Sequence, residues 1–412
     1  MAKRFEISPE SFSARAPVIV AYAAFVLVGA SLGATGVLLV AQMNDYAVDQ
    51  VTIGITFFAG TAGFALAGLT AGAAVQRFGY RIALVIGGSG FVLAGLYTAT
   101  RPPFVAFVAV QVLVGYATGM LESVLNAYLT TLPNSATLLN RLHAFFGVGA
   151  LLGPPLTTWI VDRASWTVVW LVLGLVQIPV VAGFLMFYPR RRPAPSAPQA
   201  DEPASGGLLG TALRQRSVVF GAALLAVYVG LEVSMGNWGF SYLTRERGQS
   251  DLFAGYTVSG YWLGLTLGRF LISPIAARMN VTPVGTMYIC MAGVAAAAAW
   301  IWLLPATVAA GTGFVLLGFF LGPIFPTTMA VTPQLTTAAL VPTAIGVMNT
   351  GSVVGGSALP WLAGAITQGA GMWTLLPFLV VLAVLQLGLL RLMVQPIRAR
   401  RPGVLAAEPT EH

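Results

Sequence analysis

Charge is what this sequence has least of: Asp, Glu, Lys and Arg together make up 8% of its 412 residues, against about 25% in an ordinary soluble domain. That scarcity excludes the soluble globular class. Cysteine is nearly absent too. The single thiol, Cys290, lies in an apolar run, which excludes an intrachain disulfide and a thiolate metal cluster. Histidine is limited to His143 and His412, so a histidine metal centre is excluded and neither metal nor other cofactor is expected. Lysine occurs once, at Lys3, and no G-x-x-x-x-G-K-[ST] loop is present, which removes ATP chemistry of the P-loop kind. Segments of about ten residues with alternating polarity, the mark of a transmembrane β-barrel, are missing as well. The N-terminus MAKRFEISPESFSARAP runs straight into a full-length apolar stretch, without the small-residue cleavage site of a signal peptide.

What remains is apolar. Hydrophobic residues make up 57% of the chain, and they fall in runs of about 20, each long enough to cross a bilayer core of about 30 Å. The 47 glycines and 25 prolines would disrupt soluble helices, but membrane bundles use small residues for close packing. The fold class is therefore an all-α polytopic membrane protein. Spans are expected at 16–42, 50–76, 81–100, 104–131, 140–161 and 166–188, then at 217–243, 252–277, 282–304, 307–331, 338–366 and 372–394.

Between the two sets the composition changes. Residues 189–216, rich in Pro, Ala, Ser and charge, read as a solvated linker too poor in bulky apolar side chains to pack. This divides the chain into an N-terminal bundle (1–188), a linker (189–216), a C-terminal bundle (217–394) and a tail (395–412). With the N-terminus inside, sixteen of the 21 Lys and Arg lie on the cytoplasmic side. Arg101, Arg163, Arg245 and Arg247 lie outside, and Arg269 lies within a span. By the positive-inside rule both termini and the linker are cytoplasmic, in a cell (inner) membrane. The net charge of +8 is thus a topology signal, and nucleic acid is not an expected partner.

The halves repeat one another. Val28-Gly29 returns as Val229-Gly230, and Arg77 as Arg278, both at an offset of 201. Gly115-x-x-x-Gly119 returns as Gly318-x-x-x-Gly322 at 203, and Gly149-x-x-x-Gly153 with Trp159 as Gly351-x-x-x-Gly355 with Trp361 at 202. One glycine match means little in so glycine-rich a chain. Four at nearly one offset indicate a six-plus-six duplication, the architecture of many secondary transporters.

Polar groups inside the spans are few enough to name. A charge at bilayer depth costs about 2.5–3.5 kcal/mol on insertion scales, so it usually faces a cavity or a partner. Glu122 and Glu232 are the two in-span carboxylates, one per half. Burial raises a carboxyl pKa, which makes both candidate proton carriers. Glu122, in the stretch GYATGMLESVLNAYLTTLP, is the favoured coupling group. Glu232 either shares the proton, binds substrate hydroxyls, or serves as a salt-bridge partner in packing. Asn126, Gln42 and Asn349 offer amides for substrate hydroxyls, while Trp238 and Tyr261 offer rings for a sugar face. Tyr261's neighbour Trp262 is a further aromatic of that kind. The glycines at 115, 119, 318 and 322 read as helix contacts.

The loop Gly72-Ala-Ala-Val-Gln76-Arg77-Phe78-Gly79-Tyr80-Arg81 resembles the G-x-x-x-D-R-x-G-R-R signature of the major facilitator superfamily. Gln76 stands at the acidic position and Tyr80 at the first of the paired basic ones, which weakens the usual charge relay. Within that superfamily the chain is similar to the fucose permease-like sugar:proton symporters. The likeness rests on Gly119-Met-Leu-Glu122-Ser-Val-Leu-Asn126, Asn140 through His143 to Pro154, Tyr228 through Glu232 to Trp238, Gly264 through Arg269-Phe270, and Gly322-Pro-Ile-Phe-Pro326. The resemblance implies twelve transmembrane helices in two pseudo-symmetric bundles, a monomer in the lipid bilayer, and a central cavity with His143 at its lining. It also implies gating at Arg77, Gly79 and Arg81; Arg269, toward the cytoplasmic end of its span, reads as a snorkelling group, a carboxylate's partner or a further gating residue, the last being favoured. One position departs: where the family carries an Asn-Asp pair in span 1, this chain has Thr35-Gly36.

The reading is a secondary active transporter, not an enzyme, that moves a small solute by alternating access with proton coupling, a monosaccharide being the favoured substrate. The alternatives are a proton-coupled efflux pump for amphipathic compounds and an uncoupled facilitator.

Overall fold

The computed structural model describes residues 9–189, 205–304 and 306–395. Lys3, Arg4, Arg190, Arg191, Arg192, Arg398, Arg400, Arg401, His412, most of the linker and nearly all of the tail lie outside the described residues. The chain separates into two compact units, Met1–Pro198 and Gln199–His412.

The first unit runs α1 (Pro9–Tyr46), α2 (Gln50–Ile53), α3 (Ile55–Ala99), α4 (Phe104–Thr130), α5 (Ser135–Val161) and α6 (Thr167–Phe187). The second runs α7 (Ser205–Arg214), α8 (Arg216–Ser241), α9 (Asp251–Arg278), α10 (Pro283–Leu303), α11 (Thr307–Leu321), α12 (Ile324–Leu335), α13 (Val341–Ala370) and α14 (Leu375–Met393). No strand occurs among the described residues. Among the described residues, ten helical segments are long and apolar enough to cross a membrane. One of them, Gln50–Ala99, holds 50 residues, which at about 1.5 Å per residue is more than twice what a bilayer core requires. It is two spans, divided at Gly79. α9 supplies the twelfth crossing, more polar than the rest because it carries Arg269 and several hydroxyl residues.

Gly79 turns the chain with φ 81° and ψ 166°, a region open essentially to glycine alone. Span 10 is also broken, between α11 and α12 at Gly322-Pro323, because proline can neither donate to the helical ladder nor clear the preceding carbonyls. The linker expectation needs one correction. Its last part is the helix α7, packed on α8 and α13 with Ala212 fully buried. Leu208 and Ala212, four residues apart, give this short segment one apolar face.

Both units pair their helices in the same way. In the first, α1 packs on α5, the first part of α3 on α4, and its second part on α6. In the second, α8 packs on α13, α9 on α11, and α10 on α14. Glycine makes these crossings close. A Cβ on Gly149 would collide with the Val26 carbonyl, and one on Gly355 with that of Ala226. A Cβ on Gly115 would strike Gly60, and one on Gly318 the Tyr261 carbonyl. With lipid outside, no hydrophobic force drives helices together, so backbone proximity and dispersion do. Leu69, Val105 and Val308 accordingly point outward, more than three-quarters exposed, while Phe25, Leu121 and Phe184 fill the first core and Leu231, Met235 and Phe314 the second.

The ends carrying the expected outer loops are tied off. In the first unit Asp45 accepts from Arg101 (2.6 Å) and from the Trp166 indole (3.0 Å), and the Tyr46 hydroxyl donates to the Pro102 carbonyl (2.7 Å). In the second, Arg247 donates to the Tyr242 hydroxyl (2.7 Å) and to the carbonyls of Ile301 and Trp302.

Candidate functional site

The second unit gathers polar groups that three-dimensional packing alone brings together. Glu232 stands in the middle of α8, and Tyr228 one turn before it shares its face. On the facing α9, Tyr261 and Arg269 are eight residues apart and so line one side of that helix. The Arg269 guanidinium reaches the Glu232 carboxylate at 3.6 Å (Nη2 to Oε1), and the Tyr261 hydroxyl donates to the Glu232 main-chain carbonyl at 3.0 Å. Glu232 keeps 14% of its side chain exposed and Arg269 31%. Tyr228, only 1% exposed, lays its hydroxyl against both the Glu232 carboxylate and the Arg269 guanidinium and interacts with each. Arg269 also leaves its buried Nε–H without an acceptor.

One contact of 3.6 Å is a loose ion pair. A charge-assisted N–H···O bond is typically about 2.7–2.9 Å, and arginine and carboxylate often close two in parallel. Removing one partner of a fully buried pair costs about 3–5 kcal/mol; the exposure of Arg269 puts this pair below that range.

In the first unit Glu122 is half-buried on α4. The Asn126 amide donates to the Glu122 main-chain carbonyl at 2.8 Å, so Asn126 is adjacent to the carboxylate but its N–H is engaged by its own helix. His143 is exposed on α5, edge-on to Phe25 with ring centroids 5.7 Å apart. Gln42 is buried on α1 and Asn349 exposed on α13.

Three of the residues expected from sequence therefore meet in one cluster: Glu232, Tyr261 and Arg269. Arg269 stands apart from the loop residues it was grouped with, because Arg77, Gly79 and Arg81 lie in the first unit. There Arg77 is exposed over the Phe78 ring and Arg81 is half-buried beyond the turn at Gly79. Trp238 is fully buried and donates its indole N–H to the Pro360 carbonyl (2.7 Å), an α8–α13 tie. In this conformation it offers no ring face to a solute. Tyr228 joins this cluster without having been singled out from sequence, although its place four residues before an in-span carboxylate was a readable signal.

Comparison with known proteins places these features. The family model described as the Major Facilitator Superfamily matches residues 21–310, more than half of the chain. The Bypass of stop codon protein 6 of Saccharomyces cerevisiae is 22% identical over 391 residues, covering 86% of this chain and 78% of that protein. The glucose/mannose transporter GlcP of Bacillus subtilis is 24% identical over 174 residues, 41% of this chain and 43% of that one; the match thus spans less than half the length of that sugar transporter. A crystal structure of the nucleoside transporter NupG superposes with a TM-score of 0.75 at 13% identity, covering 93% of this chain and all of that one. The twelve-span duplicated fold and the family match agree, and the chain belongs to the Major Facilitator Superfamily, a family of transporters and not of enzymes.

Proposed function

We propose that this protein is a proton-coupled secondary transporter that moves a monosaccharide across the cell membrane by alternating access of its two six-helix bundles. The observation that carries this reading is one mid-span carboxylate in each half, Glu122 and Glu232, in a chain whose other in-span charges are Arg269 and, at span ends, Arg81, Arg141 and Arg391. An ionisable group at that depth must be matched by a partner, a proton or a solute. Glu122 is the coupling group, with Asn126 beside it for substrate hydroxyls. Gln42, His143, Tyr261 and Asn349 are further contacts, and Trp238 would become one only after a rearrangement at α13. Arg77, Gly79 and Arg81 form the gate, since a turn that only glycine adopts gives two spans a defined hinge. The sugar rests on the partial similarity to a glucose/mannose transporter. The bundle limits at 188 and 217, the cytoplasmic termini and the monomeric state complete the reading.

A second reading, proton-coupled efflux of amphipathic compounds, is favoured by Thr35-Gly36 standing where the resemblance leads one to expect an acidic pair. Uptake of labelled glucose into proteoliposomes under an inward proton gradient separates the two. Uptake predicts accumulation that Glu122→Gln abolishes while exchange persists. Accumulation unchanged in that variant would remove Glu122 from the mechanism, and no glucose uptake at all would turn the reading to efflux.

A further inference from the structure

The segment that joins the two bundles ends in α7, ten residues with three leucines and no acidic side chain. Gln215, extended at φ −78° and ψ 112°, separates α7 from α8, so α7 turns off the axis of span 7 at the point where that span begins. Two bonds hold the turn. The Thr336 hydroxyl donates to Gln215 Oε1 at 2.6 Å, and the Ser217 hydroxyl donates to the Leu335 carbonyl at 3.2 Å. Being one residue from the start of an apolar span, α7 lies where hydrocarbon gives way to headgroups.

One side of α7 is taken up by protein, with Ala212 buried against α8 and α13. The adjoining side is open. Leu209 and Leu213, four apart and so stacked on one face, are 47% and 52% exposed. A leucine pair on a short helix at this depth suits the boundary between headgroup and acyl chain, as in helices that lie in the plane of the interface.

Positive charge surrounds the same end. Arg214 closes α7, Arg216 opens α8 and Arg391 stands in the last turn of α14, all three exposed. The ends of α8 and α14 are neighbours, since a Cβ on Gly221 would lie 3.4 Å from Met393 Sδ. Arg216 is three residues from the exposed Val219, and Arg391 is next to the exposed Leu392. Each guanidinium therefore rises from an outward apolar surface along which its stem can lie. Among the described residues none of the three is in an ion pair. The acidic residues described in this unit, Glu232, Glu246 and Asp251, stand in the middle of α8 or at the opposite end.

We infer that this end of the second unit is a binding site for an anionic phospholipid, its phosphate held by Arg214, Arg216 and Arg391 and its acyl chains laid along Leu209 and Leu213. A soluble phosphate would use the arginines and leave the leucines in water. A zwitterionic lipid would bring a cation toward three guanidinium groups. The occupied site fixes the end of the linker to the membrane. This goes beyond the transport reading: it uses the placement of α8 and α14 as spans and none of the solute or proton steps.

The test titrates full-length protein in neutral detergent with phosphatidylglycerol or with phosphatidylcholine of the same acyl chains, counting retained lipid by native mass spectrometry. Wild type should hold phosphatidylglycerol more tightly by over about tenfold, a preference that shrinks as salt rises. Arg214→Gln, Arg216→Gln and Arg391→Gln should each cost about fivefold, and the triple variant roughly 100-fold. Arg245→Gln, an exposed arginine at the opposite end, should leave the preference unchanged. Leu213→Cys carrying a polarity-sensitive fluorophore, in a Cys290→Ala background and in nanodiscs of the two lipids mixed, should emit as from hydrocarbon. Emission as from water would overturn the interfacial placement. Equal retention of both lipids by wild type, or a preference unmoved in the triple variant, would overturn the site. So would displacement of the lipid by glycerol 3-phosphate at equal concentration, since that molecule has the charge without the chains. Solute uptake is read separately in proteoliposomes, so its failure and the failure of this site are distinct results.

Discussion

The two units share a skeleton and differ in chemistry. Glycine crossings recur at matching places: Gly115 and Gly318 each leave no room for a Cβ against the facing helix, as do Gly149 and Gly351. The in-span charges do not recur. The counterpart of Glu122 at the offset of 203 is Phe325, and that of Glu232 at 201 is Ser31. Duplication has therefore preserved what lets helices approach and not the charged groups within the spans. A contact that many atoms share admits no larger residue, whereas a polar side chain facing a cavity is replaced without loss of packing. Asymmetry in a symmetric frame is what a transporter of an asymmetric solute requires.

The sharpest way to break this comparison is to load the crossings. Gly115→Val and Gly318→Val should each destabilise their own bundle by about 1–3 kcal/mol or more, because the new side chain meets backbone that has nowhere to go. Gly72→Val, with nothing within 4 Å of its Cβ position, should cost less than about 1 kcal/mol. The yield of monodisperse protein and its thermal midpoint in detergent read this directly. Equal behaviour of all three variants would mean that the glycine crossings are not what holds the skeleton.

A smaller effect is expected at the loop ends. Tyr46 and Arg247, related by the offset of 201, both donate to main-chain carbonyls at the close of spans 3 and 9 respectively, one as a neutral hydroxyl and the other as a cation. The first unit places its ion pair beside that bond, between Asp45 and Arg101. Arg101 is more than half exposed, so solvent screens the pair, and Asp45→Asn should lower stability by no more than about 1 kcal/mol. Arg247→Gln should exceed it, since two carbonyls and the Tyr242 hydroxyl lose their donor together. High salt should narrow the difference between wild type and Asp45→Asn, with little change for Arg247→Gln.

Much of this was legible in the chain itself. Twelve crossings follow from run length and hydropathy, and the repeat follows from Gly-x-x-x-Gly pairs, because close helix contact demands small residues at helical spacing. Glu122 and Glu232 stood out because charge is so scarce. Contacts between helices were not legible. Arg269 admitted three readings from sequence, a snorkelling end group, a carboxylate partner or a gate residue, and only the α8–α9 crossing puts its guanidinium beside Glu232. Trp238 looked like a sugar platform because aromatic character says nothing about direction; its indole points to Pro360. The α7 helix was hidden in a segment of linker composition, where two apolar residues four apart suffice once α8 and α13 supply the other side.

The most direct test of the account is proton movement driven by solute. Proteoliposomes loaded with a pH-sensitive dye, held at zero membrane potential, would receive a step of external sugar with no pH gradient imposed. Sugar should carry protons inward and acidify the lumen in wild type, and Glu122→Gln should abolish that signal. Sugar entry without any proton flux, or flux undiminished in Glu122→Gln, would contradict coupling through the mid-span carboxylate.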